Sequence, residues 1–566
     1  MTKKFNKIEE IIIKELTHTL IKTPSHLDSF KRRIAKKYKI TCPTNVELLR
    51  TYHKMAENKR IKLSQNLLNL LRTRPIRSLS GIVNVSVLTK PYPCPGKCIY
   101  CPTERGIPKS YLKEEPAVQR AILNKFHPFL QVQTRLESLV KTGHPIDKIE
   151  LRIIGGTWSF YPKNYQSWFV TRCFAACNAE LRGTKRRITR KIKSLKREQR
   201  LNEKAKHRVV GLSIETRPDF INEREIKWLR KLGVTMIELG VQSIYDNVLK
   251  LNLRGHGVKE TILATKLLKD AGFKVLYQIM LNLPGSTLKK DEKMFEEIFK
   301  NSDFKPDLLK IYPLALVKNS ALYKWYLKGK YKPYSDKKLI KLLIEIKKKI
   351  PCWVRIQRIV RDIPSRKIIT GGAKISNLRE IVQKEMAKKR LKCKCIRCRE
   401  VKGNYPPSVK ASTSANALVD KSADKVIQNL KLFRENYEAS DGKEIFLSFE
   451  NKKREKLYAL LRLRLPCQNY QSQPFKNKLW KVLPVLKDSA IIREVHTYGQ
   501  MLPVGEKSLS PQHRGLGKRL IKEAEKIVKR ESNLKKIAVI SGVGVRKYYS
   551  SKLNYNLRET YMIKVL

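Results

Sequence analysis

The chain has 566 residues, which predicts three or four structural units rather than one core. Its formal net charge is +71, from 121 Lys and Arg against 50 Asp and Glu, and so large a surplus indicates a polyanionic partner such as a nucleic acid. The hydrophobic content of 41% excludes a basic disordered tail. Neither a signal peptide nor a membrane-spanning segment is recognisable, so we expect a cytoplasmic protein without a membrane partner.

Residues 1–78 predict a small basic helical module. Apolar residues recur at helical spacing, as at Ile8, Ile12 and Leu16. Between two such stretches lies KRRIAKKYK, at residues 31–39, whose cations cannot all point inward. We expect the module to present charge to a phosphate backbone; an ordinary solvated helix face is the alternative.

Residues 79–370 predict an α/β domain. The β-branched run GIVNVSVL, at residues 81–88, is followed by further apolar runs separated by helical patterns. This alternation predicts parallel β/α units, and hence a full or partial barrel with its active site at the carboxyl ends of the strands. An inserted basic run, residues 185–200, adds charge beside the barrel. The later apolar runs occupy residues 149–154, 209–214, 236–241, 275–281 and 308–312.

A short loop within this domain, PYPCPGKCIYCP, contains Cys94, Cys98 and Cys101. Three thiolates spaced C-x3-C-x2-C on a loop interrupted by Gly and Pro can occupy three corners of a [4Fe–4S] cluster and leave the fourth iron open for chemistry. A zinc knuckle and three unrelated buried cysteines are the alternatives.

Polar or glycine-rich residues follow three of the predicted strands, the last of which is followed by Gln242 and Ser243. Gly155, Gly156 and Thr157 come directly after one strand, and their glycines would let a ligand approach the backbone closely, although such a pair also suits a plain turn. Glu215 and Arg217 come at the end of the next. Together with the cysteine loop, the glycine pair is a stronger candidate for a ligand site than it is alone.

Residues 371–425 are predicted to link two halves of the protein. They contain KCKCIRCRE, in which Cys393, Cys395 and Cys398 lie within six positions. This trio would bind zinc if a fourth ligand, with Cys352 as the candidate, came from elsewhere in the fold. Free structural thiols are the alternative.

The last segment, residues 426–566, predicts a second α/β domain. Between two predicted strands lies SPQHRGLGKRLIKEAEKIVKR, a loop that opens a long amphipathic helix. Gln512, Gly515 and Gly517 form Q-x2-G-x-G, in which small residues at a helix N-terminus let backbone N–H groups face a pyrophosphate. A strand before the loop and cationic neighbours strengthen this interpretation.

These motifs together resemble the elongator protein 3 family, the catalytic subunits of Elongator, which are radical-SAM enzymes fused to a GNAT-type acetyltransferase domain. The resemblance covers nearly the whole chain, because motifs of both halves are present. They are PCPGKCIYCP, RIIGGTW, GLSIETRPD, ELGVQS, WVRIQRIVRDIP, REVHTYG, PQHRGLG and IAVISGVGVRKYY.

The resemblance implies a radical-SAM partial (β/α) barrel joined to the acetyltransferase domain, and a role for each motif. Cys94, Cys98 and Cys101 would hold the [4Fe–4S] cluster that chelates S-adenosylmethionine. Lys148 and either Tyr548 or Tyr549 would handle the thioester of acetyl-CoA. The implied cofactor-binding residues are Gly155, Gly156, Thr157, Glu215 and Arg217 for S-adenosylmethionine, and Arg493, Glu494, Val495, His496, Gln512, Gly515, Leu516 and Gly517 for acetyl-CoA.

The implied activity is modification of the wobble uridine of tRNA at C5 with the acetyl group of acetyl-CoA. A protein-lysine acetyltransferase with a structural iron–sulfur cluster is the alternative enzyme, and a tRNA-binding subunit that no longer catalyses is the alternative binding protein. The expected partners are tRNA and acetyl-CoA, with a homodimer or additional Elongator-type subunits left open.

Overall fold

The structure is a computed structural model that describes residues 2–19, 21, 23–62, 64–181, 192–402, 427–467, 474–499 and 515–566. Its first unit is a set of four helices, α1 (Thr2–His18), α2 (Pro24–Lys37), α3 (Asn45–Glu57) and α4 (Gln65–Leu71). They pack around buried apolar residues such as Ile12, Leu49 and Tyr52.

The basic stretch at residues 31–39 lies mainly on helix α2. Lys31 points inward and donates to Asn45 Oδ1 at 2.8 Å, whereas Arg32, Arg33, Lys36 and Lys37 are exposed. The helix therefore separates a packing face from a charged face.

Seven parallel strands form the central sheet in sequence order: β1 (Val83–Leu88), β2 (Lys148–Ile154), β3 (Arg208–Thr216), β4 (Met236–Gln242), β5 (Lys274–Leu281), β6 (Leu308–Pro313) and β7 (Arg355–Ile359). Each strand pairs with the next, and no pairing joins β1 to β7 among the described residues. The predicted parallel barrel is therefore confirmed in its partial, open form.

Alternation along β1 shows how the sheet is oriented. Val83, Val85 and Val87 are buried and pack against the outer helices, whereas Asn84 and Ser86 face the opposite side, toward the barrel lumen. The helices of this domain are α5 (Pro116–Leu123), α6 (Pro128–Lys141), α7 (Lys163–Asn178), α8 (Leu195–Asn202), α9 (Glu223–Leu232), α10 (Asp246–Leu251), α11 (Val258–Asp270), α12 (Leu288–Lys300), α13 (Leu322–Leu327), α14 (Asp336–Lys349), α15 (Leu378–Lys388) and α16 (Ile396–Arg399).

A second seven-stranded sheet forms the C-terminal domain, in the order β13-β14-β12-β11-β10-β9-β8. Only β11 and β12 are parallel neighbours in it. The elements are β8 (Lys431–Ala439), β9 (Gly442–Glu450), β10 (Leu457–Pro466), α17 (Pro474–Val482), β11 (Ser489–Thr497), α18 (Leu516–Glu531), β12 (Lys536–Val539), α19 (Arg546–Leu553), β13 (Asn556–Arg558) and β14 (Tyr561–Val565). This mixed sheet agrees with the predicted acetyltransferase-like domain.

Buried charges connect the two sheets. Arg493 of β11 donates to Asp307 Oδ1 at 3.0 Å, next to β6, and to Glu444 of β9 at 2.9 Å. Arg464 of β10 donates to Asp270 at the end of α11 at 2.6 Å. These side chains are at most 6% exposed, so the domains share an interior rather than a wet contact.

The structure does not test the predicted domain boundaries or the whole of the inserted basic run. The predicted boundaries at residues 78, 370 and 425 remain predictions, and part of the basic run at residues 185–200 lies outside the described residues. No helix in the described part of the chain is both long enough and apolar enough to cross a membrane.

Candidate active site

The cysteine loop lies beyond the carboxyl ends of the parallel strands. A Cβ built on Gly96 would lie 3.7 Å from Cys94 Sγ and 3.6 Å from Cys98 Sγ, so both sulfurs converge on this glycine. The same Cβ would come within 2.7 Å of Arg217 Nη1. Any side chain at Gly96 would therefore fill space between the sulfurs and the guanidinium group.

The residues after β2 meet this loop. Thr157 is buried, and its Oγ1 lies 3.7 Å from Cys94 Sγ. Gly155 has φ +124°, and a Cβ there would collide with Thr89, whose hydroxyl donates to the Gly155 carbonyl at 3.1 Å. Gly155 is thus required by local geometry. Gly156, with φ +72°, has open space around its Cα.

Glu215 and Arg217 have different environments in the same region. Glu215 lines the lumen and accepts hydrogen bonds from Tyr111 at 2.8 Å and Gln278 at 3.1 Å. Arg217 binds Asp219 through Nε and Nη2, at 2.9 and 2.8 Å, and turns Nη1 toward the cysteine loop.

Two further residues beside the cysteines escaped the sequence analysis. Arg254, which is buried, donates from Nη1 to Cys98 Sγ at 3.5 Å. Burial, reinforced by the charge of Arg254, lowers the pKa of His256 to about 4. The signal for both was LRGHG at residues 253–257, in which two glycines flank the His and an Arg precedes the first glycine. This loop between two helices has no periodic pattern that would mark it in the sequence.

Several buried polar atoms around the loop have no hydrogen-bond partner within the described residues. They are Arg217 Nη1, Gln242 Oε1 and His256 Nε2. Gln242 also has φ +69°, an unusual conformation for a side-chain-bearing residue and one that clusters at ligand sites. Unpaired buried donors and acceptors are costly, so this group suits a polar ligand that supplies both kinds of partner.

A separate cleft lies between the amino ends of the barrel strands and the C-terminal domain. We call this cavity of about 300 Å³ the interdomain cleft. The pairing of β11 with β12 ends at Ile492 and Val539, so the strands diverge and open the cleft beside the N-terminus of α18. Its walls include Lys148, Arg493, Glu494, Val495, His496, Gly515, Leu516, Gly517, Tyr548 and Tyr549.

The comparisons with known proteins match the chain over both halves. The Radical SAM superfamily model matches residues 92–298, and the Radical_SAM C-terminal domain model matches residues 306–388. The tRNA uridine(34) acetyltransferase of Methanocaldococcus infernus is 43% identical, over 99% of this chain and 98% of that protein. Elongator complex protein 3 of Homo sapiens is 35% identical, over 88% of this chain and 87% of that protein.

The chain belongs to this family of tRNA uridine(34) acetyltransferases and Elongator complex proteins 3. A solved structure agrees: the archaeal Methanocaldococcus infernus Elp3 with an N-terminal deletion (1–46) is 42% identical, with a TM-score of 0.69, and covers 86% of this chain and 100% of that one. The resemblance stated from the motifs is thereby confirmed. A radical-SAM domain implies a [4Fe–4S] cluster and S-adenosylmethionine.

Family membership does not assign individual residues, and the structure separates those predicted for acetyl-CoA. The side chain of Arg493 is committed to the buried interface with Asp307, so only its backbone is available to a ligand. His496 Nε2 lies 2.9 Å from the Ser80 carbonyl, and Glu494 accepts from Arg462 at 2.8 Å. Gln512 lies outside the described residues.

The two candidate tyrosines also differ. Tyr549 is 6% exposed, belongs to the apolar core and lies 5.9 Å from the ring of Tyr555. Tyr548 is half-buried at the edge of that core. Both line the cleft, but Tyr548 has more freedom to present its hydroxyl to a ligand.

The linker cysteines form a compact group. The sulfurs of Cys393, Cys395 and Cys398 all lie within 4.8 Å of one another. Cys352 is not part of this group; its sulfur accepts instead from Arg454 Nη2 at 3.7 Å. The three sulfurs therefore converge as metal ligands would, whereas Cys352 has a different partner.

Proposed function

We propose that this protein modifies the wobble uridine of tRNA at C5, using the acetyl group of acetyl-CoA and radical-SAM chemistry. One observation carries the proposal: the chain has both a cysteine loop at the carboxyl ends of the barrel strands and an interdomain cleft at a glycine-rich helix N-terminus. It also matches a relative of this family over nearly its full length. The net charge of +71 supports an RNA substrate.

The cysteine loop would hold the cluster through Cys94, Cys98 and Cys101. When bound, the cluster and S-adenosylmethionine supply the carbon radical that removes a hydrogen atom from the acetyl methyl group, which is too weakly acidic for ordinary bases. Gly156 has open space around its Cα and would let the ligand approach the backbone next to Thr157, while the contact of Gly155 with Thr89 would hold this turn in place. Other residues support this site: Arg254 donates to the Cys98 sulfur, Glu215 lines the cavity, and Arg217 turns Nη1 toward Gly96 of the cysteine loop.

The interdomain cleft would bind acetyl-CoA. The N-terminus of α18, with Gly515, Leu516 and Gly517, supports a pyrophosphate through backbone N–H groups, and Gln512 completes the motif. The part of β11 after Ile492, where its pairing with β12 has ended, would support the pantetheine arm. Tyr548 would donate to the departing thiolate, and Lys148, at the start of β2, would donate to the thioester carbonyl.

Zinc bound by Cys393, Cys395 and Cys398 would fix the linker against both domains. Cys395 and Ile396 are buried between them, and Arg399 in the same short helix donates to the Cys352 carbonyl at 2.7 Å. A structural metal here would stabilise the relative pose of the halves.

The deciding experiment follows deuterium from the acetyl methyl group. Reconstituted protein is incubated anaerobically with tRNA, S-adenosylmethionine, a reductant and methyl-deuterated acetyl-CoA. We expect label in 5′-deoxyadenosine and a carboxymethyl group on uridine, and we expect Cys98→Ala to abolish both. Unlabelled deoxyadenosine, or acetylation of lysine peptides that survives Cys98→Ala, would reject the proposal in favour of plain acetyl transfer.

A further inference from the structure

Three cavities follow one another along the barrel. The interdomain cleft leads to a cavity of about 340 Å³, here called the lower lumen, and then to one of about 140 Å³ at the cysteine loop, the upper lumen. On β2, Lys148 and Glu150 line the cleft. Glu150 and Arg152 line the lower lumen, and Arg152 and Ile154 line the upper lumen. These four side chains share one face of the strand because side chains alternate.

Neighbouring strands repeat this order. Ile82, just before β1, lines the cleft and the lower lumen. On β1, Asn84 lines the lower lumen and Ser86 lines the upper lumen. Asn84 is in register with Glu150, and Ser86 with Arg152. The cavities are therefore stacked from the amino to the carboxyl ends of the strands. Residues 148 to 155 span about 23 Å at a rise of about 3.3 Å per residue.

A layer of charged side chains separates the two lumen cavities. Arg152 donates to Glu238 at 2.9 Å, and Lys310 contacts Glu238 and, at 3.3 Å, Glu215. Burial would raise the pKa of Glu238, but Arg152 and Lys310 reverse that effect and hold it at about 2. Arg152 and Lys310 line the cavities on both sides of the layer. Their donors can thus be offered to a ligand in either cavity.

The interdomain cleft and the cysteine loop lie at opposite ends of the barrel strands, so the acetyl group must travel between them. If the proposed function holds, on which this inference rests, the acetyl methyl group must come within contact distance of the strand ends at Gly155, although the cleft that binds the rest of acetyl-CoA begins at Lys148. An outer route would expose the reacting group to water. The lumen shares wall residues with both sites, as Glu150 and Arg152 show.

We propose that the barrel lumen is the passage by which the acetyl end of acetyl-CoA, still attached to its pantetheine arm, reaches the cysteine loop, and that Arg152, Glu238 and Lys310 are its gate. After the acetyl end leaves Lys148 and enters the lumen, the gate recognises the thioester carbonyl oxygen, which would accept hydrogen bonds from the two cations as Glu238 does. These three residues position the acetyl group and take no part in bond breaking.

Cysteine substitutions along the lumen test the path without cluster or turnover. Full-length, cluster-free Asn84→Cys, Ser86→Cys and Leu123→Cys proteins are treated with bromoacetyl-CoA, whose acetyl carbon forms a bond to sulfur with loss of bromide. Leu123 is the control because it is 83% exposed and lines none of the three cavities. Peptide mass spectrometry gives the alkylation rate at each cysteine relative to bromoacetamide.

We expect that relative rate to be about tenfold higher at positions 84 and 86 than at 123, because binding in the cleft places the acetyl end in the lumen. Excess acetyl-CoA should remove the difference. Equal rates at 84 and 123 would overturn the passage. Preferential labelling at 84 but not at 86 would overturn the gate, since the acetyl end would then stop below the charged layer.

A plug in the lower lumen provides the functional test. Asn84 is exposed to this cavity, so Asn84→Trp should fold, which its melting temperature checks. Acetyl-CoA binding by calorimetry and deoxyadenosine release from S-adenosylmethionine should stay unchanged, whereas label transfer from the acetyl methyl group should fall about tenfold or more. Leu123→Trp should match the unsubstituted protein.

The two failures are distinguishable. If Asn84→Trp transfers label normally, the passage is wrong and the proposed function stands. If the unsubstituted protein transfers none, the proposed function is wrong, whatever the cysteine labelling shows.

Discussion

At the residue scale, the same sequence motif can supply a ligand contact or a structural bond, and only the surroundings decide between them. REVH at residues 493–496 is an example. The side chain of Arg493 is used between the domains, and Glu494 pairs with Lys274 of the barrel at 3.5 Å. His496 bonds to the Ser80 carbonyl, so this strand offers the cleft mainly backbone. Arg254, by contrast, had no motif around it and lies at Cys98.

Lys148 predicts a pH dependence of the acetyl step. Burial destabilises its ammonium form and lowers the pKa to about 8. If Lys148 donates to the thioester carbonyl, the donor exists below that pH and is lost above it, so label transfer should fall as the pH rises through about 8. The rate of label transfer is measured between about pH 6.5 and pH 9.5.

Lys148→Arg is the matched variant, since a guanidinium stays charged throughout this range. We expect the high-pH decline to disappear even if the maximal rate is lower. An unaltered decline in Lys148→Arg would show that another group titrates.

At the scale of elements, close backbone approach sets the position of the C-terminal domain on the barrel. Gly542 follows β12, and a Cβ there would collide with the backbone of Val210 in β3. A Cβ built on Gly544 would similarly lie only 2.9 Å from the Val209 nitrogen. The GVG segment, residues 542–544, is thus a docking element.

Gly542→Ala should therefore destabilise the protein by about 1–3 kcal/mol, the usual cost of overpacking, because backbone cannot move aside as a flexible side chain can. The free energy of unfolding is measured with denaturant. Gly517→Ala is the control for stability, since its Cβ would meet Thr497 Oγ1 at an ordinary 3.6 Å. Equal stabilities of the two variants would contradict the docking role.

The linker cysteines predict a metal-dependent stability. Anaerobically purified protein should contain zinc beyond the iron of the cluster, and Cys395→Ser or chelation should remove that zinc and lower the melting temperature. Elemental analysis and thermal unfolding measure both effects. Cys352→Ser should keep the zinc, because its sulfur contacts Arg454. Zinc lost in Cys352→Ser would make Cys352 the fourth ligand after all.

At the scale of the whole molecule, the buried network between the sheets makes the two domains one unit. Asp307 binds Arg493 at full burial, and Lys269 and Arg462 lie 3.9 and 3.6 Å from it. Burial would raise the pKa of Asp307, but these cations hold it well below its usual range. Such a network fixes pose because each charge has partners only in the docked arrangement.

Arg493→Met should cost about 3–5 kcal/mol, since it leaves Asp307 and Glu444 buried with too little positive charge. Arg434→Met is the matched control: Arg434 pairs with Glu531 in the same domain, but both are 31% exposed, so we expect a loss of about 1 kcal/mol or less. Denaturant unfolding measures the two changes. Similar losses would mean that the interface network contributes no special stability.

Short sequence motifs were sufficient to predict several features of this protein. The C-x3-C-x2-C loop, the alternation of strands with helices and Q-x2-G-x-G at a helix start can each be recognised locally. The sequence alone therefore predicted a full or partial barrel, the cluster loop and the second domain, and the family resemblance implied the partial form. Cys94 and Cys98 converge within five residues of chain, which needs no distant partner.

Other features depend on residues far apart in the chain, and only the tertiary structure decided them. Arg254 reaches Cys98 across 156 residues, and Arg493 reaches Asp307 across 186. The stacked cavities require β1, β2 and β6 to be in register, which no single segment encodes. A sequence determines which chemical groups are available within a turn or a strand, whereas packing determines which of them face one another and which are left unpaired for a ligand.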